Sequence, residues 1–174
     1  MPTEEPIQAR MLTALQTYLE SEVVEGDDYF FTLAGKVHVG RMEFDDGDGL
    51  PLVSILEVPL PGEQSEIPRG AAVLAGPWEM FIQGWTLEEE NGTLRTDRFN
   101  SLNAYRLKQD VTKALLKLKN VLDPHPSTGE PLGYVLGFRE IENIRIQRGT
   151  VRPDDERSGV CTFWTPLTLD LVGA

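Results

Sequence analysis

The chain has 174 residues, with 28 Asp and Glu against 16 Lys and Arg, for a formal net charge of -12. At 40% hydrophobic and 25% charged residues it has the composition of an ordinary globular domain, long enough to build a core without disulfide or metal staples. Cys161 is the only cysteine and His38 and His125 the only histidines, which excludes a disulfide framework, a multi-cysteine zinc site and a multi-histidine metal centre.

Residues 6–20 read as an amphipathic helix, because Ile7, Met11, Ala14, Leu15 and Tyr18 share one sector at about 100° per residue. Thr3 is placed to cap it, with Glu4 and Glu5 near the positive end of its dipole. Three strand-like stretches follow: Tyr29–Leu33, Lys36–Phe44 and Leu50–Val58. Val37, Val39 and Arg41 alternate with Lys36, His38 and Gly40, and the intervening Asp-Gly pairs predict a hairpin. Pro59, Pro61 and Pro68 frame a polar loop, Pro59–Gly70. In the next stretch, Ala71–Leu87, Trp78, Met80 and Ile82 point one way and Phe81 and Trp85 the other, the pattern of a strand covered on both faces.

Glu88 to Gly92 reads as an exposed turn, and the longest helix as Arg98 to Val121, capped by Thr96 or Asp97. Its core stripe is Ala104, Leu107, Val111, Ala114, Leu115, Leu118 and Leu122. Leu122–Pro131 reads as a loop, Gly133–Gly149 and Gly159–Val172 as strands, and Val151–Ser158 as the polar loop between them. The order α-β-β-β-β-α-β-β describes one α+β domain, a mostly antiparallel sheet packed with a short N-terminal helix and one long helix.

The long helix carries a second apolar line. Leu102, Tyr105 and Leu116 lie opposite the core stripe, with Arg106, Lys113 and Lys117 on one side and Lys108 and Lys119 on the other. A helix apolar on two faces is packed by another chain or covered by loops of its own. The charge is also divided. Residues 1–66 hold 14 acidic and 3 basic side chains, whereas residues 97–174 hold 10 and 11. Duplex DNA would be repelled by the first half, while an acidic face of one subunit meeting a neutral or basic face of another fits the split.

Chemical motifs are scarce. Asp45, Asp46 and Asp48 cluster, but the sixth position of an EF-hand register falls on Leu50 or Pro51 instead of glycine. No phosphate-cradling or dinucleotide glycine loop is present, and Ser54 and Ser158 lack a nucleophile-elbow context. Cys161 sits in an apolar strand, where a free thiol acts as a small hydrophobe. Paired carboxylates such as Glu79 with Glu57 have the chemistry of a glycosidase-like dyad, but nothing in the sequence orients them. The expectation is a protein that is not an enzyme and needs no cofactor or metal. The opening Met1-Pro2-Thr3-Glu4-Glu5 lacks the basic and apolar segments of a secretory leader, and no apolar run approaches the roughly 20 residues of a membrane span, so a reducing cytoplasm is the expected place of synthesis.

The ordered segments resemble the tail terminator (tail-completion) proteins of long-tailed bacteriophages. The likeness runs through the helix Ile7–Glu20, the strand Val37-His38-Val39-Gly40-Arg41-Met42-Glu43-Phe44, then Leu52–Glu57, Trp78–Trp85, the long helix, and Phe163–Val172. The resemblance implies a virion protein, assembled in the host cytoplasm, that closes into a homo-oligomeric ring, usually of six copies, at the head-proximal end of the tail tube. Such a ring ends tube polymerisation and offers a joining surface to the neck and head-completion proteins, while genomic DNA passes through its lumen without specific binding. On that footing Leu102, Tyr105, Arg106, Lys113, Leu116 and Lys117 are expected at the contact between neighbours, and Asp45, Asp46 and Asp48 on an acidic lumen wall. The alternatives are another neck, head–tail connector or baseplate component, and an acidic domain binding a small ligand near Trp78 and Trp85.

Overall fold

A computed structural model describes residues 4–45, 47–58, 75–90, 93–94, 102–120, 135–154, 157 and 159–172. The expected caps Thr3, Thr96 and Asp97, the loops 59–70 and 122–131, and Asp46, Leu122, His125 and Ser158 lie outside them. The elements are α1 (Ile7–Glu22), β1 (Val37–Val39), β2 (Leu52–Glu57), β3 (Gly76–Leu87), β4 (Glu89–Glu90), β5 (Thr93–Leu94), α2 (Leu102–Asn120), a 3-10 turn (Val135–Gly137), β6 (Ile141–Ile146), β7 (Thr150–Pro153) and β8 (Val160–Leu171). The protein is α+β, as expected.

The main sheet runs β1-β2-β3-β8-β6, with β7 pairing the other half of β8 beside β6. All pairings are antiparallel except β1–β2. Alternation decides which side chains face the helices. Val53 and Ile55 of β2, Met80 and Ile82 of β3, and Phe163, Leu167 and Leu169 of β8 are buried against α1 and α2 in the larger core cluster. Met11, Leu15 and Leu19 of α1 and Leu107, Val111 and Leu115 of α2 supply the helical side. The opposite face, free of helix among the described residues, holds a smaller cluster in which Phe44, Leu52, Trp85 and Val160 meet, so β3 is covered on both faces at this end.

Several expectations fail for stated reasons. The N-cap of α1 is Pro6, without a side-chain cap, and Glu4 instead pairs with Arg10 at 3.0 Å. Tyr29–Leu33 is not a strand. Its amides go elsewhere: the Phe30 and Phe31 N–H groups donate to the Asp110 carboxylate on α2 at 2.9–3.1 Å, and Leu33 N–H to Val23 O at 3.0 Å. The predicted strand Lys36–Phe44 stops at Val39, because Gly40 takes φ +76°, where a side chain would be strained. No Asp-Gly hairpin forms. β1 runs parallel to β2, Val37 beside Val53 and Val39 beside Ile55, and the connection crosses the helix-free face, where Phe44 packs. Val151–Pro153, expected in a loop, is the strand β7.

β6 and β7 are two halves of one strand along β8. Ile146 pairs with Leu167 and Thr150 with Trp164, so one extra residue bulges between them. The bulge lies opposite Pro166, whose carbonyl accepts Gln147 N–H at 3.1 Å. Since a strand residue directs its N–H and C=O to the same side, the donor that Pro166 lacks falls at the bulge and not in the β3 ladder.

Candidate assembly surface

α2 is anchored from three directions, which fixes the direction its outer face looks. At its start the Glu88 carboxylate accepts the N–H groups of Asn103 (3.1 Å) and Ala104 (2.9 Å) and the Thr86 hydroxyl (3.1 Å). Glu88, expected in an exposed turn, is only 3% exposed. Mid-helix, buried Asp110 holds the Phe30–Phe31 backbone; burial pushes its carboxyl up from the ordinary range, against the lowering pull of those amides. Along the α1 side, Tyr18 donates its hydroxyl to Ala114 O at 2.7 Å, and Lys117 pairs with Glu22 at 2.7 Å, an oxygen that also accepts the Tyr29 hydroxyl. Lys113 reaches Asp28 at 3.2 Å, and both lysines lie over the Tyr29 ring.

These partners place the six expected interface residues in two groups. Leu102, Tyr105 and Leu116 stand in solvent at 52%, 57% and 46% exposure. Arg106, Lys113 and Lys117 edge them, but each is engaged within its own chain: Arg106 over the Phe30 ring at 5.3 Å, and the lysines on Asp28 and Glu22. On the other side Lys108 gives its ammonium to a neutral acceptor, Gly149 O at 2.8 Å, beside the Tyr105 ring. The outcome is an apolar seam on a held helix whose five cations outnumber its single, buried acid, Asp110.

The Lys117 ammonium and Tyr29 hydroxyl hold the Glu22 carboxyl below its ordinary 4.5. A lowered folded-state value means that the ionised pairing stabilises above 4.5 and is lost as pH falls through the folded value. Glu22→Gln should therefore melt below the wild type at neutral pH, with the gap closing on acidification below 4.5. Thermal melts across that range test it; a gap independent of pH would show that the charge contributes nothing.

The three aspartates of the expected lumen wall also part company. Asp48 turns inward, accepting Asp45 N–H at 2.7 Å and pairing with Arg41; these contacts, the backbone donor foremost, hold it below the usual carboxylate range. Asp45 has its side chain 91% exposed, and Asp46 lies outside the described residues. Arg41 also donates its backbone N–H to Ser54 Oγ, tying this loop to β2.

Between that loop and the β7–β8 turn lies a cleft of about 290 Å³ on the helix-free face. Met42, Phe44, Trp85, Trp164, Arg152 and Arg157 form most of it. The Arg157 guanidinium lies 4.2 Å from the centre of the Phe44 ring and that of Arg152 4.4 Å from the Trp164 ring. Trp85 is part of this cleft, whereas Trp78 packs toward the helical core and donates its indole N–H to Glu57 at 3.0 Å. The two tryptophans face opposite sides of the sheet, as their alternation along the strand predicts, so the alternative of one ligand pocket near both does not hold. The same bond leaves Glu57 holding an indole, and Glu79 is exposed on the next strand. Cys161 is buried in β8.

Among the described residues no group of three or more His, Cys, Asp or Glu is placed to hold a metal ion, and no helix is long and apolar enough to cross a membrane. Comparison with protein-family models and with curated protein sequences gives no match. Among the described residues, sequence reasoning missed Glu88 and Asp110, the carboxylates that hold α2, and the cleft arginines Arg152 and Arg157. Glu88 was legible in principle: it continues the even-numbered, core-facing register of Met80 and Ile82.

Proposed function

We propose that the chain is a structural subunit of a long-tailed phage that closes into a ring, of about six copies by family resemblance, at the head-proximal end of the tail tube. There it ends tube polymerisation and gives the neck proteins a joining surface, with genomic DNA passing through the lumen. The seam on α2 carries this reading. Three large apolar side chains are held in solvent on a helix whose other face is fully buried, which is the mark of a surface that another protein covers. The order of segments supplies the address in the virion, and the seam supplies the mode of action: shape-matched association rather than chemistry. Of the expected lumen aspartates, Asp48 pairs with Arg41 and Asp45 lies 3.6 Å from the same guanidinium, so one cation is shared by two carboxylates.

Leu116→Asp places a charge in the seam without touching the core. At a contact of hot-spot quality the change weakens ring formation by about 2 kcal/mol, roughly 30-fold. Sedimentation and negative-stain electron microscopy measure it, with far-UV circular dichroism confirming the fold. Normal assembly would remove α2 from the contact. Antibody labelling of intact particles tests the address: label at the head-proximal end of the tail is expected, and label at the baseplate or nowhere on the particle overturns it.

A further inference from the structure

The cleft on the face of the sheet away from α2 is walled by two segments that both carry charge. The connection after β1 brings Met42, Glu43 and Phe44, the β7–β8 end brings Arg152, Asp154 and Arg157, and the strands between them bring Gln83, Trp85, Thr162 and Trp164. Two of the four charged side chains are engaged. The Asp154 carboxylate accepts Arg157 N–H at 3.1 Å, and the Arg157 guanidinium covers the Phe44 ring. Glu43 and Arg152 differ: they line the same cleft, do not pair with each other, and have no ion-pair partner among the described residues. Arg152 is nevertheless held in place, because its guanidinium lies 4.4 Å from the centre of the Trp164 ring, which leaves its N–H edge for an acceptor. Met42, 73% exposed, adds an unbranched and adaptable apolar side chain to the lining.

We propose that this cleft binds a small dipolar molecule of the α-amino-acid type, with a carboxylate, an ammonium and an apolar side chain. The carboxylate takes the edge of the Arg152 guanidinium, and the Gln83 amide and Thr162 hydroxyl are further donors in the lining. The ammonium meets Glu43. The apolar side chain lies beneath Met42 against Phe44 and Trp85, whose rings already pack together with centroids 5.8 Å apart. Charge balance decides the class of ligand. With one uncommitted cation and one uncommitted anion in the lining, a simple anion or a simple amine leaves one protein charge without a partner, whereas a molecule bearing both ends leaves none. Size agrees, since about 290 Å³ falls at the bottom of the range for small-molecule pockets. The inference goes beyond the assembly reading and does not depend on it, because the seam lies on the other side of the sheet.

Isothermal titration with L-leucine and L-phenylalanine tests the site, with tryptophan fluorescence as a second readout, since Trp85 and Trp164 both line the cleft. Two fragments of leucine serve as controls: 4-methylpentanoate, which lacks the ammonium, and 3-methylbutylamine, which lacks the carboxylate. At least one of the two amino acids should bind with a Kd of about a millimolar or below. Each fragment should bind about tenfold more weakly than leucine, the loss of one charge-assisted pair. Arg152→Gln and Glu43→Gln, both at exposed positions and checked by circular dichroism, should each weaken amino-acid binding by a similar factor. If 4-methylpentanoate binds as tightly as leucine the cleft is an anion site, and if 3-methylbutylamine does so it is a cation site; either result overturns the dipolar ligand. Silence toward both amino acids at about 10 mM overturns the site itself. Amino-acid binding that neither glutamine variant weakens overturns it as well, because the ligand then lies elsewhere.

Discussion

Glu88→Ala should unfold the protein far more readily than any surface change, although Glu88 stands in a run of three glutamates that reads as a solvated turn. Its carboxylate receives two amides from the first turn of α2 and the Thr86 hydroxyl, in a site with 3% exposure. Truncation to alanine leaves those donors buried without partners and removes a negative charge from the positive end of the helix dipole. Together these cost about 3 kcal/mol, the upper reach of a lost cap plus unsatisfied buried donors. For a chain of this size that lowers the melting temperature by roughly 6–12 °C. Glu88→Gln, which keeps one acceptor oxygen, should lose about half as much. Calorimetry of both variants checks this; a loss under about 1 kcal/mol for alanine would mean that other groups cap the helix. The consequence reaches the proposed assembly contact, because α2 begins at Leu102, the first residue of the seam.

Gly149→Ala is the second large effect. Gly149 lies in the bulge between β6 and β7, and a Cβ there would stand 1.9 Å from the carbonyl oxygen of Trp164. The obstacle is backbone in the central strand β8, so no rotamer change relieves it. The edge strand must shift away, taking the Lys108–Gly149 bond and the Thr150–Trp164 pairing with it. Overpacking of this kind costs about 3 kcal/mol, the upper end for an inserted methyl group that cannot be accommodated by side chains. Equilibrium denaturation measures it. Because Trp164 and Arg152 belong to the cleft, the variant should also disturb its lining, visible as altered tryptophan fluorescence. A wild-type midpoint and spectrum would show that the bulge is softer than its contacts indicate.

Much of the fold was legible locally. Helical spacing located α1 and the core stripe of α2, and alternation in Trp78–Trp85 separated the two faces of β3 correctly. The apolar line Leu102–Tyr105–Leu116 was read from the same spacing, and its exposure agrees. Carboxylates were the weak point. Asp110 is one acid among the charges of a basic helix, and its role depends on Phe30 and Phe31, 80 and 79 residues earlier in the chain. The Asp-Gly pairs announced a reversal, yet the partner that β1 finds is parallel, because Phe44 has a hydrophobic site on the far side of the sheet to fill.

By itself the chain's chemistry determined an acidic α+β protein, the location of both helices, the two faces of β3, and one helix with an unneeded apolar line. Those properties follow from periodicity, which is written within a few consecutive residues. Tertiary structure alone decided that Lys113 and Lys117 are neutralised at home, that Asp48 is bound to Arg41, and that a cleft exists at all. Each of these depends on which distant groups arrive within hydrogen-bonding or packing reach, and that is set by the balance of burial over the whole chain.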